Sequence, residues 1–359
     1  MKICFLADSE SIHTKRWCNH FINKGFQVSL ISFKPTCEIK GIDFHFVDAG
    51  KVSVAGGNWR VLLKINKIKK IIKKIKPDIL HAHYATSYGL VGALIGFNPF
   101  IITALGSDVL ISPKKSIIYR VLLNYAFKKA NWITVMADHM KEATSVIGNF
   151  QHKITVLPFG IDTNLFNADN INHAKDKFVI CSTRNFENVY NIPHLLKAVE
   201  KVKSEINNLE LHLIGDGSKR DDIEKLVASL NLSEITKFYG KIPQNEIVKV
   251  LNKTNVFISV SLSDGNNISL NEAMACGCFP IATNIPANTQ WIEHGKNGFI
   301  VEIDNVTQLS LQILEVFNNF ENLNEKASKI NQQIISERAD WNKNIRWMEE
   351  KYKELINEK

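Results

Sequence analysis

Val260-Ser-Leu-Ser-Asp264-Gly-Asn-Asn-Ile268-Ser-Leu-Asn-Glu272-Ala-Met-Ala-Cys276-Gly-Cys-Phe-Pro280-Ile-Ala-Thr-Asn284 decides how the chain is read. The apolar, β-branched run Val256 to Leu262 leads into a polar turn, Ser263-Asp264-Gly265-Asn266-Asn267. A short helix-forming segment, Ile268 to Cys276, is stopped by Gly277, and a second strand-like run, Phe279 to Ala282, follows at once. This is a βαβ unit whose loop lies at the carboxyl end of a buried strand, where open α/β sheets hold ligands. The helix opens just after Asn267, so its unpaired N–H groups and positive dipole end can meet phosphate oxygens. Asp264 and Glu272 flank the loop and the first turn of the helix, so both can face one polar ligand. A capped strand–turn–helix with no ligand has the same carboxylate spacing. The longer string, Glu-Ala-Met-Ala-x-Gly with Pro-Ile behind it, is far more specific.

Working outward, 359 residues are too many for one comfortable core and about right for two domains. Apolar content of 45% with 22% charged residues describes a globular chain, not a disordered one. No apolar run reaches transmembrane length, and Met1-Lys2-Ile3-Cys4-Phe5-Leu6-Ala7-Asp8 turns polar too soon for a signal peptide. The six cysteines form no Cys-x-x-Cys pair and no zinc spacing, so buried thiols and a cytoplasmic location are expected. Charge is uneven: residues 1–168 hold 22 Lys+Arg against 10 Asp+Glu, and the remainder 22 against 26. A basic first half is expected to meet something anionic. Nucleic acid is a poor choice of partner, because no aromatic-rich basic motif or helix-turn-helix appears.

Strand-like and helical stretches alternate through the first half, from strand Lys2–Asp8 and helix Thr14–Asn23 to strand Lys153–Leu157. The pattern breaks over Pro158–Lys177 and resumes with Phe178–Thr183, ending in a helix at Trp341–Ile356. Such alternation implies two parallel sheets covered on both faces. The expected division is residues 1–165, a linker at 166–177, a second domain at 178–338, and a terminal helix at 339–359. Two sheets of this kind imply a cleft for a small molecule.

Asp264-x7-Glu272 followed by Ala-Met-Ala-Cys-Gly resembles the Glu-x7-Glu segment of the retaining family-4 glycosyltransferases, which have the GT-B fold. That fold pairs two Rossmann-like doubly wound α/β domains, and the terminal helix crosses back to the first. The resemblance implies a sugar moved from a nucleoside diphosphate sugar, UDP favoured and GDP the alternative, to a glycan or lipid-linked acceptor in cell-surface polysaccharide synthesis. It places Glu272 on the ribose, the backbone of Gly265, Asn266, Asn267 and Ile268 around the pyrophosphate, and Asp264 at the transferred sugar. Gly215-Asp216-Gly217 matches the family's Gly-Asp-Gly turn on the donor side, and Lys241-Ile242 would sit beside the base. Arg184 matches an arginine that meets the diphosphate, where charge grows as the glycosidic bond breaks. The lysine expected after it is missing. Either Arg184 works with another cation, or Tyr190 and Asn191 bind by hydrogen bonds.

In the first half, Ser9 to Arg16 replaces the family's Gly-rich loop, leaving His13 and Arg16 as groups that could face an acceptor or cap a helix. His81 and His83 close a strand and point the same way; each is either a site residue, with His83 the catalytic candidate, or a buried, hydrogen-bonded core residue. Thr103-Ala-Leu-Gly106-Ser107-Asp108 resembles Thr-x-His-Gly-Ser-Asp. Leu105 stands where the family has histidine, and Gly106, Ser107 and Asp108 remain for the acceptor. The segment Trp59–Lys76 carries an apolar stripe, Val61, Ile65, Ile68, Ile72 and Ile75, beside seven lysines. It reads either as a solvated helix face or as a peripheral contact with anionic lipid. No Asp-x-Asp ends a strand, so no metal or obligatory cofactor is required. Two other readings fit a GT-B chain: a non-catalytic nucleotide-sugar-binding subunit and a sugar-nucleotide epimerase.

Overall fold

A computed structural model describes residues 1–50, 59–173 and 176–358. The first residue of the helix expected over 58–76 lies outside the described residues, as do linker positions 174–175. The chain divides into two compact units, Met1–Phe159 with Ile345–Lys359, and Gly160–Asn344.

The first unit runs β1 (Lys2–Leu6), α1 (Ile12–Asn23), β2 (Gln27–Ser32), β3 (Asp43–Phe46), α2 (Ile65–Ile75), β4 (Ile79–His83), α3 (Leu90–Ile95) and β5 (Phe100–Ala104). It continues with α4 (Ser107–Leu110), α5 (Ser112–Lys115), α6 (Ile117–Lys129), β6 (Trp132–Val135), α7 (Asp138–Ile147) and β7 (Ile154–Val156). The strands form one parallel sheet in the order β3-β2-β1-β4-β5-β6-β7. β4 and β5 are buried along their whole length, which is why they read as continuous apolar runs and not as alternating ones. The expected helix ending at Lys76 starts as a 3-10 turn, Trp59–Lys64, and becomes α-helical only at Ile65.

The second unit runs β8 (Phe178–Ser182), α8 (Ile192–Val202), β9 (Leu209–Ile214), α9 (Arg220–Ser229), β10 (Thr236–Gly240), α10 (Gln244–Leu251) and β11 (Val256–Ser259). Then come α11 (Ile268–Ala275), β12 (Phe279–Thr283), α12 (Pro286–Thr289), β13 (Phe299–Val301) and α13 (Val306–Arg338). The six strands are parallel in the order β10-β9-β8-β11-β12-β13. Alternate strand residues feed two cores, Ile180 and Ile258 on one face, Cys181 and Phe257 on the other.

Both sheets reverse strand order once, between β1 and β4 and between β8 and β11, and each reversal opens a crevice at the strands' carboxyl ends. The expected α/β architecture of two doubly wound sheets is what the chain adopts.

The last helix, α14 (Trp341–Asn357), places Ile345, Met348, Tyr352 and Leu355 in the interior. Within the first unit the Tyr352 ring stacks on Phe21 with centroids 5.3 Å apart, and Glu349 receives His20 and Lys24 at 2.6 and 3.0 Å. Among the described residues no helix is long and apolar enough to cross a membrane.

Candidate active site

In the second unit the polar groups gather at the switch point. Arg184 follows β8 and is 7% exposed. Its guanidinium donates from Nη1 to Asn267 Oδ1 at 2.9 Å and from Nη2 to Asp264 Oδ2 at 2.5 Å, and lies 4.2 Å from the centre of the Tyr190 ring. These bonds use two of five N–H donors, and the buried Nε has no partner among the described residues. The side-chain oxygens of Ser182 and Thr183 and the amide of Asn271 on α11 are likewise buried without partners. Buried polar atoms normally pair. Their concentration at the end of β8 and in α11 marks a place prepared for a polar ligand. Ser182, Thr183 and Asn271 were not singled out from sequence; the only signal was a polar run, Ser182-Thr183-Arg184, closing an apolar strand.

Asn267 builds the loop. It is wholly buried, caps α11 by accepting from Leu270 N–H at 3.1 Å, and donates to Ser259 Oγ and Asn288 Oδ1 at 2.9 and 2.8 Å. Asn266 is held from the other side by Trp291 Nε1 at 2.9 Å. The expected cradle needs one correction: the Ile268 N–H is turned inward to the Asn266 carbonyl at 3.0 Å, so that donor is spent inside the loop. Glu272, one turn into α11, is 8% exposed.

The Gly-Asp-Gly turn comes to the same place for a steric reason. Gly215 has φ +142°, and a Cβ there would lie 2.6 Å from the Arg184 carbonyl; at Gly217 it would lie 2.5 Å from that of Phe186. Only glycine lets β9 end so close to the segment carrying Arg184. Asp216 closes this contact by accepting Phe186 N–H on its carbonyl at 3.1 Å. Gly215 N–H donates to Gly240 O at 2.9 Å, which brings in the Lys241-Ile242 segment. Lys241 is exposed, while Ile242 and Ile268 pack on one core. Asn191 departs from expectation: it takes left-handed backbone at the start of α8, and its amide donates to Asp304 at 2.9 Å. One of its two N–H donors is thus taken, while Tyr190 stacks beside Arg184.

The first unit has its own cluster at the β1/β4 switch. His83 is 2% exposed, and neither ring nitrogen has a partner among the described residues. The rings of Trp17, Phe5 and Phe159 lie 5.1–5.8 Å away. Burial, helped by nearby His13, pushes its pKa down to about 3, so the ring is neutral at ordinary pH. His13 packs on Phe159 at 4.7 Å, and burial followed by the charge of Arg16 lowers it to about 4. His13, Arg16 and His83 therefore do come together.

His81 and Asp108 do not belong to a site. His81 shares the face of His83, but its Nδ1 meets Tyr352 Oη at 2.5 Å and its Nε2 meets Thr103 Oγ1 at 2.6 Å. Both nitrogens are spent in the core, and nothing remains for an acceptor. Asp108 is wholly buried and accepts the N–H groups of Ala85, Gly106 and Leu105 at 2.7, 2.8 and 3.2 Å. It fixes the turn after β5. Gly106 supplies the φ of +147° which that turn needs. Ser107 stays half-exposed, with Oγ 2.7 Å from Tyr84 Oη. Tyr84 itself sits at φ +82° and leads into a π-helical turn, Ala85–Gly89. Non-glycine residues reach that region at a cost, and such turns collect at functional sites. The sequence carried no signal for it.

Two family models match the chain: "Glycosyl transferase 4-like" over residues 2–137 and "Glycosyl transferases group 1" over residues 165–334. The chain is 24% identical to N-acetyl-alpha-D-glucosaminyl L-malate synthase of Bacillus anthracis, over 89% of this chain and 86% of that protein. It is 29% identical to an uncharacterized glycosyltransferase of Methanocaldococcus jannaschii, covering 80% and 78%. An Escherichia coli UDP-Gal:alpha-D-GlcNAc-diphosphoundecaprenol alpha-1,3-galactosyltransferase is 24% identical, covering 66% and 65%. Among solved structures, sucrose-phosphate synthase from Thermosynechococcus elongatus superposes with a TM-score of 0.85 at 17% identity over the whole of both chains. Anabaena HepE in complex with UDP-glucose gives 0.79 at 18% identity, covering 99% and 100%. At these identities the structural likeness speaks for the GT-B fold alone.

Proposed function

We propose that this chain, which belongs to the group 1 glycosyltransferases, transfers a hexose-type sugar with retention from a nucleoside diphosphate sugar. The donor is a UDP-sugar before a GDP-sugar, and the acceptor a glycan or lipid-linked saccharide of the cell surface. The observation that carries this reading is Arg184. It is buried, held by Asn267, Asp264 and Tyr190, and keeps unspent donors at the carboxyl end of β8. A fixed guanidinium suits a diphosphate that gains charge as it leaves. Glu272 takes the ribose hydroxyls, the Gly265–Asn267 backbone the phosphates, and Asp264 the transferred sugar.

In the reaction the C1–O bond to the diphosphate breaks as the acceptor oxygen bonds to C1 on the same face. The acceptor proton passes to the departing phosphate oxygen. No protein base is required, and His83, neutral and without a hydrogen-bond partner among the described residues, acts as a hydrogen-bonding group and not as a proton carrier. UDP is favoured because the similar HepE fold was solved with UDP-glucose and the Escherichia coli relative is named for UDP-Gal. That relative's diphosphoundecaprenol acceptor supports a lipid-linked one here.

The test is thermal shift with UDP, GDP, ADP and CMP, then turnover with sugar nucleotides of the winning base. UDP is expected to stabilise the chain, and Glu272→Ala to abolish that response. No response to any nucleotide would sink the reading. Binding without turnover on any acceptor would turn it toward a non-catalytic subunit.

A further inference from the structure

The face of α6 that looks away from its sheet is apolar. Ile117, Ile118, Val121 and Tyr125 share that side and are exposed, Ile117 by 69% and Val121 by 61%. Val146 joins them at 67% exposure, tied to the helix by Arg120 Nη2 donating to its carbonyl at 2.6 Å. The opposite side, Leu123, Ala126 and Phe127, is buried.

The charge around this face is mostly positive, with Glu142 on α7 the exception beside Val146. Lys114 and Lys115 precede the helix, Lys128 and Lys129 end it, and no Asp or Glu occurs between Val109 and Ala137. Helix α6 packs on α3, and α3 on α2, so the exposed lysines of α2 belong to the same helical layer. The apolar stripe of α2, by contrast, is turned inward through Ile68 and Ile72. The lysine-rich helix supplies attraction, with Leu63 (81% exposed) on the turn before it as its one highly exposed apolar side chain.

We propose that α6 is the chain's lipid-docking surface, with Ile117, Ile118 and Val121 entering the headgroup boundary of an anionic membrane and the flanking lysines meeting its phosphates. An apolar centre with a mostly cationic rim suits such a membrane; the exposed Glu142, one turn before Val146 on α7, is the carboxylate at its edge. A second copy fits poorly, because self-docking would set the same lysines against each other. A lipid-linked acceptor would be met at this surface, and that placement rests on the transferase reading.

The experiment is sedimentation of the full chain with phosphatidylcholine vesicles and with vesicles that also contain phosphatidylglycerol. Binding is expected only to the anionic vesicles, weakening with salt. The double substitution Ile117→Gln with Val121→Gln should reduce it about tenfold or more, with Tm and the response to UDP unchanged. Failure of the wild type to bind anionic vesicles would overturn the proposal. So would equal binding by the variant, or a dimer in light scattering that the variant dissolves. If UDP stabilises a chain that ignores vesicles, the docking surface is wrong and the transferase reading stands. If vesicles bind and UDP does not, the docking surface survives without that reading.

Discussion

Arg184 concentrates the chemistry of the second unit in one side chain, and its surroundings set what its loss should do. The pair with Asp264 looks strong, but Asp264 stands at the edge with 19% of its side chain exposed. Once freed, that carboxylate can turn to water, so Arg184→Ala should cost only about 1–2 kcal/mol of stability. The effect on turnover should be far larger, about 10²–10³ in kcat, as for other groups aimed at developing charge. Steady-state kinetics beside thermal melts checks both, and equal kcat would remove Arg184 from the mechanism. Arg184 was legible through the family resemblance, which places an arginine after this strand at the diphosphate. His81 and Asp108 were not. A sequence shows that a histidine ends a buried strand, but the partner that occupies it, Tyr352, comes from the far end of the chain.

At the scale of the element, α11 and its loop stand on Asn267. Asn267→Ala would remove the cap, worth about 1 kcal/mol, and strand Ser259 and Asn288, each at about 1–3 kcal/mol. A total of about 3–7 kcal/mol corresponds to a Tm lower by about 6–28 °C in a unit of this size. Calorimetry is the measurement, and a shift within experimental scatter would mean that water replaces the amide. Gly217→Ala should lower Tm and weaken nucleotide binding together, since a methyl 2.5 Å from the Phe186 carbonyl would push away the segment bearing Arg184. Titration of UDP into the variant tests this; unchanged affinity would separate the turn from the site. The helices at this scale were largely legible from apolar spacing. The short α4 and α5 and the π-turn after Tyr84 were not, because they are held by single polar contacts such as that of Asp108, which leave no periodic trace.

At the scale of the molecule, both sheets were expected, since parallel strands buried on two faces leave unbroken apolar runs. Their strand orders were not, because nothing local says which neighbour a buried strand chooses. The buried His83 and half-buried His13 give the first unit an acid-sensitive stability. Their neutral form is favoured in the folded chain, with pKa values near 3 for His83 and 4 for His13, while the unfolded chain takes up protons near the ordinary value of about 6.5. Below pH 6.5 the unfolded state binds more protons, so stability falls as pH drops through that window and is unaffected above it. By pH 5 the loss is about 2 kcal/mol for His83. Melts at pH 7 and pH 5 should show a drop that shrinks in His83→Asn, and an identical drop would exclude His83 as its source.

The hydrogen bond between Tyr352 and His81 also dictates when the first sheet can finish folding. Chains emerge from the ribosome amino end first, and domains generally fold as units in that order. Here β4 and Phe21 are made early, yet their cover, α14, arrives only after every residue of the second unit. Until then the nascent first sheet lacks the Tyr352 ring that stacks on Phe21 and the hydroxyl that meets His81. Its last core layer closes only after the second unit has left the ribosome.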